Sequence, residues 1–538
     1  MLDSACGRQF RSVFVALLLL GTATPAVPPA RAQSGNASLS LSALDPQGLA
    51  VAAAAVTVES SSTGFRRHQI AGEDGVCLFS LLPPGEYSVT VEAQGFSPAR
   101  LEGVRLNVNQ QGRQYVSMSL ANEAATVTVE APPPLLESAT VTQVVDRQFV
   151  GNLPLNGRSF QSLIALGPGI VNVAASSNSP GQFSVNGQRP NSNYFMVDGV
   201  SATFGTGASF IPSAGEDGSA AALTAFGGTN SLVSVDAMQE FEVQTSTFAP
   251  EYGRMPGAQV SIVTRAGTND FHGTLFHYFR NEVLDANDWF ANRDSLPKPQ
   301  MRQNNFGGVL GGPIVSNRTF FFSSYEGLRL RQPQFSTAAY PDLEVRANAA
   351  PELLSAVRAF PVPQLESLDD GLARFAATYS NPSSLNATSF RIDHRFSDSV
   401  SLFGRYNYAP SSIEVRGGPG FRDLSLNTIS TTQSGNQTLT VGPSWVIAPN
   451  LLNDLRFNWS RSTALLDSVI DGFGGAEVPP ESALFPPFSS PKTGVVGLYL
   501  LNTAGYALGV SADNAQNQIN IVDTLAYIVG RHELKFGF

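Results

Sequence analysis

The second half of the chain alternates apolar and polar residues with a period of two. In SFRIDHRF, residues 389–396, Phe390, Ile392, His394 and Phe396 interleave with Ser389, Arg391, Asp393 and Arg395. In NDLRFNWS, residues 453–460, Leu455, Phe457 and Trp459 interleave with Asp454, Arg456, Asn458 and Ser460. Successive side chains of a strand point to opposite faces, so each run predicts a strand with one apolar and one strongly polar face. A sheet in water buries such an apolar face under a second layer. A transmembrane barrel turns it to lipid and the charged face to a wet interior.

Connection lengths decide between the two. The pattern predicts nine strands over 271–282, 304–312, 318–331, 389–396, 399–409, 435–447, 450–463, 515–529 and 531–538. Long links over 283–303, 332–388, 410–434 and 464–514 alternate with short ones at 313–317, 397–398, 448–449 and Gly530. A barrel with short turns at one rim and long loops at the other keeps that asymmetry, and a sandwich has no reason to. Inside the longest link, LEVRANAAPELLSAVRAF predicts a helix that Pro351 interrupts or restarts.

The first half reads differently. Residues 38–120 carry short strands between turns at Pro46-Gln47-Gly48, Asp74-Gly75 and Pro83-Pro84-Gly85, and Tyr87, Val89 and Val91 alternate with Glu86, Ser88 and Thr90. That pattern predicts a small β-sandwich. Residues 121–139 lose it and contain Pro132, Pro133 and Pro134, which favour an extended linker. From residue 140 to residue 270 the segments NLPLNGRSFQSLIALGPGI, FSVNGQRPNSNYFMVDGV and SVDAMQEFEVQTSTFAPEYGRMPGAQVSIVTRAGTNDFHG follow, the last reaching Gly273. Val185-Asn186-Gly187 and Asp198-Gly199 suit tight turns flanking the Phe195 and Val197 strand. Phe241 and Val243, the Glu251 to Arg254 turn, and Val260, Ile262 and Thr264 predict strand, turn, strand. The Gly, Ser and Ala-rich run 205–228 predicts a mobile loop.

These motifs, with Phe271-His272-Gly273 opening a long strand, resemble the plug and first barrel strands of TonB-dependent outer-membrane transporters, in the Oar-like branch. GEDGVCLFSLLPPGEYSVTVEAQGF, residues 72–96, resembles the carboxypeptidase regulatory-like domain, a fold of the transthyretin type without peptidase activity. The resemblance implies a mainly β protein: a transthyretin-like β-sandwich (33–120), a linker (121–139), an α+β plug (140–270) and a partial antiparallel transmembrane β-barrel (271–538). It implies a TonB box at Ala125, Thr126, Val127, Thr128, Val129, Glu130 and Ala131, which would add as a strand to a TonB-type periplasmic energy-coupling protein. The same residues also read as the last strand of the sandwich. Arg189, Asn191, Asn193 and Tyr194 are candidate contacts for an unidentified extracellular ligand at the plug apex, or they hold the plug's own loops and face the barrel wall. A plugged transporter barrel has about 22 strands, so nine imply C-terminal truncation and a fragment that does not transport alone.

Composition and charge narrow the reading further. Forty-nine Gly and thirty-five Phe fit a turn-rich, aromatic β structure, and a net charge of −10 without a basic face argues against nucleic acid as a partner. Arg8 and Arg11, the apolar run Val13 to Leu20 and Ala30-Arg31-Ala32 form a secretory signal over 1–32, which implies export. Cys6 falls in that signal and leaves Cys77 without a disulfide partner, as a buried small hydrophobe. His68, His272, His277, His394 and His532 are scattered, with His272 and His277 expected on opposite faces of one strand. GGVLGG, residues 307–312, lacks the Lys of a phosphate loop. Catalytic residues, cofactor and metal are therefore not expected. The sequence reads as an outer-membrane receptor for active uptake, its barrel in outer-membrane lipid and its N-terminal domain in the periplasm. An adhesion or structural receptor without transport is the alternative, and a soluble secreted β protein the third.

Overall fold

The computed structural model describes residues 35–121, 127–130, 135–136, 141–152, 158, 160–173, 182–208, 221–248, 252–368, 370–418, 423–500, 504–530 and 532–538. The signal segment 1–32, together with Ala125, Thr126 and Ala131, lies outside the described residues.

The first domain is built from β1 (Ala37–Leu44), β2 (Ala55–Ser60), β3 (Phe65–Ile70), β4 (Val76–Leu82), β5 (Gly85–Glu92), β6 (Ala99–Leu106), β7 (Gln111–Ser117), β8 (Val127–Glu130) and β9 (Leu135–Leu136). They form two sheets, β4-β1-β7-β9 and β3-β2-β5-β6-β8. Alternation does the sorting: Leu39 and Leu41 of β1 meet Val56, Val58, Val89 and Val91 in one core, with Phe79 and Tyr87. Gly75 is required at its turn, because at φ +69 a Cβ would lie 2.7 Å from the Ala43 carbonyl oxygen.

The second domain, called the plug here after the expectation from sequence, contains β10 (Val141–Asp146), β11 (Ile170–Val173), β12 (Gln182–Val185), β13 (Tyr194–Val197), β14 (Val200–Ser201), β15 (Met238–Ser246) and β16 (Gln259–Thr264). Its main sheet runs β10-β15-β16-β13-β14, and β11 and β12 form a separate hairpin. Asn186 and Gly187 have φ of 51° and 77°, and Asp198 and Gly199 have 51° and 79°. Both pairs supply the two left-handed residues that a tight turn of type I′ requires. One sheet face, with Phe195, Phe241, Val243, Val260 and Ile262, packs on Phe160, Leu163 and Ile164, and the core continues into Val309 and Phe322 of the third domain.

That third domain is a curved antiparallel wall: β17 (His272–Asn281), β18 (Arg302–Val315), β19 (Thr319–Pro341), β20 (Leu372–Ser397), β21 (Val400–Arg416), β22 (Thr428–Ala448), β23 (Leu451–Ile470), β24 (Val495–Tyr499), β25 (Gly505–Val529) and β26 (His532–Gly537). Its ten strands run β17 to β23 in sequence order, then β25, with β24 and β26 both paired to β25. Two expectations need correction. The sequence pattern missed β24 inside 464–514, and it took 332–388 as one link although β19 and β20 continue in register to Pro341 and Leu372. The physical reason is that a ladder continues by backbone hydrogen bonding after the apolar face has ended, so the period-two signal fades before the strand does. Two short helices, Leu343–Asn348 and Leu354–Arg358, then flank Pro351, where the sequence placed the break.

The faces sort as the alternation predicts. Phe390 and Phe457 are exposed at 44% and 40% on the face turned away from the plug, and Leu455 and Trp459 share the face of Phe457. Arg456, Asn458 and Ser460 between them are buried toward the plug. Cross-strand register aligns Phe457 with Ile521 and Trp459 with Ile519, so the outward side is a continuous apolar band. Replacing Phe457 with Arg is expected to cost about 2–4 kcal/mol when the chain is embedded in phospholipid vesicles. Reversible urea unfolding measures this, and a cost below about 1 kcal/mol would contradict a lipid-facing position.

Candidate functional site

The plug meets the wall through two buried ionic hubs. Asp236 stands on the turn Val235–Ala237 immediately before β15, where it pairs with Arg158 and lies 3.4 Å from Arg147 Nη2. Arg265 Nη1 donates to the Asp236 carbonyl at 3.2 Å, and Arg147 Nη1 to the Val235 carbonyl at 3.1 Å. Arg158 leaves the plug to stack over Phe276 and Tyr278 of β17, 4.0 and 4.9 Å from the ring centroids. Its Nε is 3.8 Å from Glu326 Oε1 on β19, and that oxygen accepts from Asn230 Nδ2 at 3.0 Å and Asn305 Nδ2 at 3.3 Å. Stacking and the hydrogen bond to Asp236 replace part of the water the guanidinium lost, while Nε has no partner within hydrogen-bond distance among the described residues.

The second hub reverses the polarity. Asp198, presented by the I′ turn after β13, accepts from the Thr264 N–H and hydroxyl, both at 2.9 Å, and lies 3.3 Å from Arg391 Nη1 and 4.0 Å from Arg405 Nε. Arg391 is itself held by Asp393 at 2.8 Å. Arg391 and Arg456 both stack on Phe403, 4.6 and 4.8 Å from the centroid, and Arg456 pairs with Asp454. Further wall side chains bind plug backbone carbonyls: Arg405 Nη2 to Leu232 at 3.0 Å, Asn407 Nδ2 to Ser231 at 3.0 Å and Asn436 Nδ2 to Leu223 at 2.9 Å. These contacts are polar and directional, and they lie beside an apolar contact in which Val309 and Phe322 of the wall join the plug core.

The residues singled out from sequence do not gather at one point. Arg189 and Asn191 are exposed. Asn193 is buried, its Nδ2 donating to the Phe183 and Pro190 carbonyls at 2.7 and 3.0 Å while its Oδ1 accepts from the Ala258 N–H at 2.9 Å. Tyr194 is buried and its hydroxyl accepts from Arg254 Nη1 at 3.4 Å. Val127–Glu130, the described part of the candidate box, pairs in parallel with Ala99–Glu102 of β6. His272 and His277 do fall on opposite faces of β17, pairing with Gly311 and Phe306. Cys77 is buried at 4%, and burial pushes its thiol up to about 12. Sequence reading did not find the hubs. Asp198 stood out only as a turn residue, and Arg391 and Arg456 only as interior charges.

A family model described as outer membrane beta barrel domain matches residues 263–353 and 346–538, together just over half of the chain. The chain belongs to that outer-membrane β-barrel family. The wall is therefore an outer-membrane sheet, and its apolar band meets lipid. A second model, the carboxypeptidase regulatory-like domain, matches residues 38–121, the sandwich. Among curated proteins the chain is similar to the TonB-dependent transporter Oar of Myxococcus xanthus, with 28% identity over 291 residues covering 51% of this chain and 25% of that protein. Among solved structures it is similar to the outer membrane transporter YddB of Escherichia coli, with 11% identity, a TM-score of 0.48, and coverage of 74% of this chain and 47% of that one. A ferric enterobactin receptor (PfeA) of Pseudomonas aeruginosa shows 13% identity, a TM-score of 0.44, and coverage of 74% and 48%. The chain thus spans about a quarter of the curated relative's length.

Two outcomes follow from the geometry. Asp198→Ala leaves Arg391 and Arg405 without their plug carboxylate, although Thr264 and the Leu232 carbonyl still accept from them, and is expected to cost about 3 kcal/mol, read as faster protease cleavage of the plug in the membrane-embedded chain. Cleavage at the unaltered rate would mean that the hub carries no load. Cys77 should stay unmodified by a maleimide at pH 8 until denaturant is added, because too little thiolate is present when the thiol is pushed up to about 12. Modification without denaturant would contradict its burial.

Proposed function

We propose that this protein serves TonB-dependent active uptake of an extracellular ligand across the outer membrane. The observation that carries the reading is a plug seated against an outer-membrane wall by polar contacts, in a chain similar to a TonB-dependent transporter. The rim of short turns and the sandwich beside it face the periplasm, and the rim of long loops faces outward. Ligand is captured on the loop side. Force applied through the segment before β10 then loosens the plug, and the hubs at Asp198 and Asp236 set how far it yields. The residues that act are thus fastening residues and a coupling segment, and no bond in the ligand is made or broken.

Residues 125–131 supply the coupling segment, adding as a strand to a TonB-type periplasmic protein. Its described part, Val127–Glu130, is already extended and holds the edge of the sandwich sheet, so little further ordering is needed to accept a partner strand. With Thr128→Cys and a matching cysteine in the coupling protein's strand, a disulfide should form in cells. Val129→Pro, which removes a ladder donor, is expected to reduce the yield at least tenfold, a loss of about one charge-free hydrogen bond plus its register. No cross-link from any position in 125–131 would return this segment to the sandwich alone.

A further inference from the structure

The turn between β6 and β7, residues 107–110, crosses a seam of the plug sheet. Asp146 of β10 and Glu240 of β15 are register partners, and Glu242 lies two residues further along β15, so three carboxylates share one face. Glu240 and Glu242 are 4% and 5% exposed. Sandwich residues meet all three. The Val108 N–H donates to Glu240 Oε1, Asn109 Nδ2 donates to Glu242 Oε2 at 2.6 Å, and Arg105 Nη2 lies 3.2 Å from Asp146 Oδ2. The turn is braced before it docks: Gln110 N–H donates to the Asn107 carbonyl at 3.1 Å, the Asn107 N–H to Gln110 Oε1 at 2.8 Å, and Asn109 sits at φ 56°. A carboxylate on a sheet face needs donors once water is gone, and here the sandwich supplies them.

Among the described residues β10 is an edge strand of the plug sheet and pairs with β15 only. It is also the first plug strand after the 127–130 segment, with β9 between them. We propose that the end of β6 and the turn after it form a clasp on the plug: Arg105 of β6 holds β10 through Asp146, Val108 and Asn109 of the turn hold β15 through Glu240 and Glu242, and both must release before β10 can leave the sheet. The role given to β10 rests on the proposed entry of force through the N-terminal segment, whereas the clasp contact itself does not.

The chemistry of the clasp makes its hold depend on pH. Burial pushes Glu240 up to about 7, opposed by the Val108 N–H and Arg105 and reinforced by Glu242 and Asp146. Burial likewise pushes Glu242 up to about 6, opposed by Asn109 and Gln244. A carboxyl whose docked value is raised contributes fully below its ordinary range and loses that contribution as pH rises through the raised value. The clasp is therefore firmest in mild acid and loosens as pH rises through about 7.

Hydrogen exchange on the full chain in detergent micelles tests this, expressed as protection relative to the intrinsic rate at each pH. In the unaltered protein, protection at 141–146 should fall as pH is raised from about 5.5 to about 8. Asn109→Asp, which sets a carboxylate against Glu242, should lower that protection about tenfold at one pH while β1 and β5 stay protected. The double substitution Glu240→Gln, Glu242→Gln keeps acceptor oxygens but cannot ionise, so its profile should be flat and its protection at pH 8 above that of the unaltered protein. Unchanged protection at 141–146 in Asn109→Asp, with the sandwich intact, overturns the clasp. If Asn109→Asp unfolds the sandwich, the glutamine pair decides at pH 8: higher protection supports the clasp, equal protection overturns it. Strand coupling is read separately by the Thr128→Cys cross-link, so failure of the clasp and failure of the uptake reading remain distinct.

Discussion

Hydrocarbon offers no partner to a backbone N–H or carbonyl, and each one left unpaired there costs several kcal/mol. The wall from β17 to β26 is the answer the chain makes to that constraint, with every neighbouring pair antiparallel and in register over long stretches. Once the backbone is committed to such a ladder, side chains alternate between lipid and interior without further choice. Tyr406, Leu439, Phe457 and Ile521 then fall on the outside and Arg405, Thr440, Arg456 and Asn458 on the inside. The same constraint lets strands outrun the apolar band. β19, β20 and β25 are 23, 26 and 25 residues long, far more than a bilayer requires, and continue as a platform for loops clustered around Tyr340, Phe360, Phe375 and Tyr506.

A wall of this kind presents its plug with polar surfaces, and the plug responds in kind. Asp198 goes to Arg391 and Arg405, while Arg158 goes to Glu326 over the rings of Phe276 and Tyr278. Buried ion pairs add little net stability against an apolar alternative, but removing one partner is costly. They are therefore suited to fixing where a removable insert sits. The Asn and Arg side chains that bind the carbonyls of Ser231, Leu232 and Leu223 act the same way, gripping backbone without interlocking hydrocarbon. The sandwich repeats the device on the opposite side of the sheet through Arg105, Val108 and Asn109. The plug is thus held on two sides by polar bonds, and on the wall side also by the apolar contact with Val309 and Phe322.

Local chemistry was legible from the sequence, and long-range pairing was not. Asn186-Gly187 and Asp198-Gly199 announced their turns because few other dipeptides accept two positive φ values. Tyr87, Val89 and Val91 announced a core face by their period of two, and Phe390, Phe457 and Trp459 a lipid face by the same period together with the alternation of long and short links. The hubs were hidden for a different reason: Asp198 and Arg391 are 193 residues apart, and nothing local distinguishes a paired interior charge from a wetted one. Val127–Glu130 could be read two ways from sequence because a strand that completes one sheet is also fit to extend another.

The central claim is that residues 271–538 form a membrane wall with lipid on one face and the plug on the other. Single spin labels placed in turn at residues 455 to 460 of the vesicle-embedded chain test it most directly. Accessibility to oxygen should alternate, high at 455, 457 and 459 and low at 456, 458 and 460, where the label is immobilised against the plug. Accessibility to a water-soluble paramagnetic reagent at the odd positions, or an absence of alternation, would contradict the account.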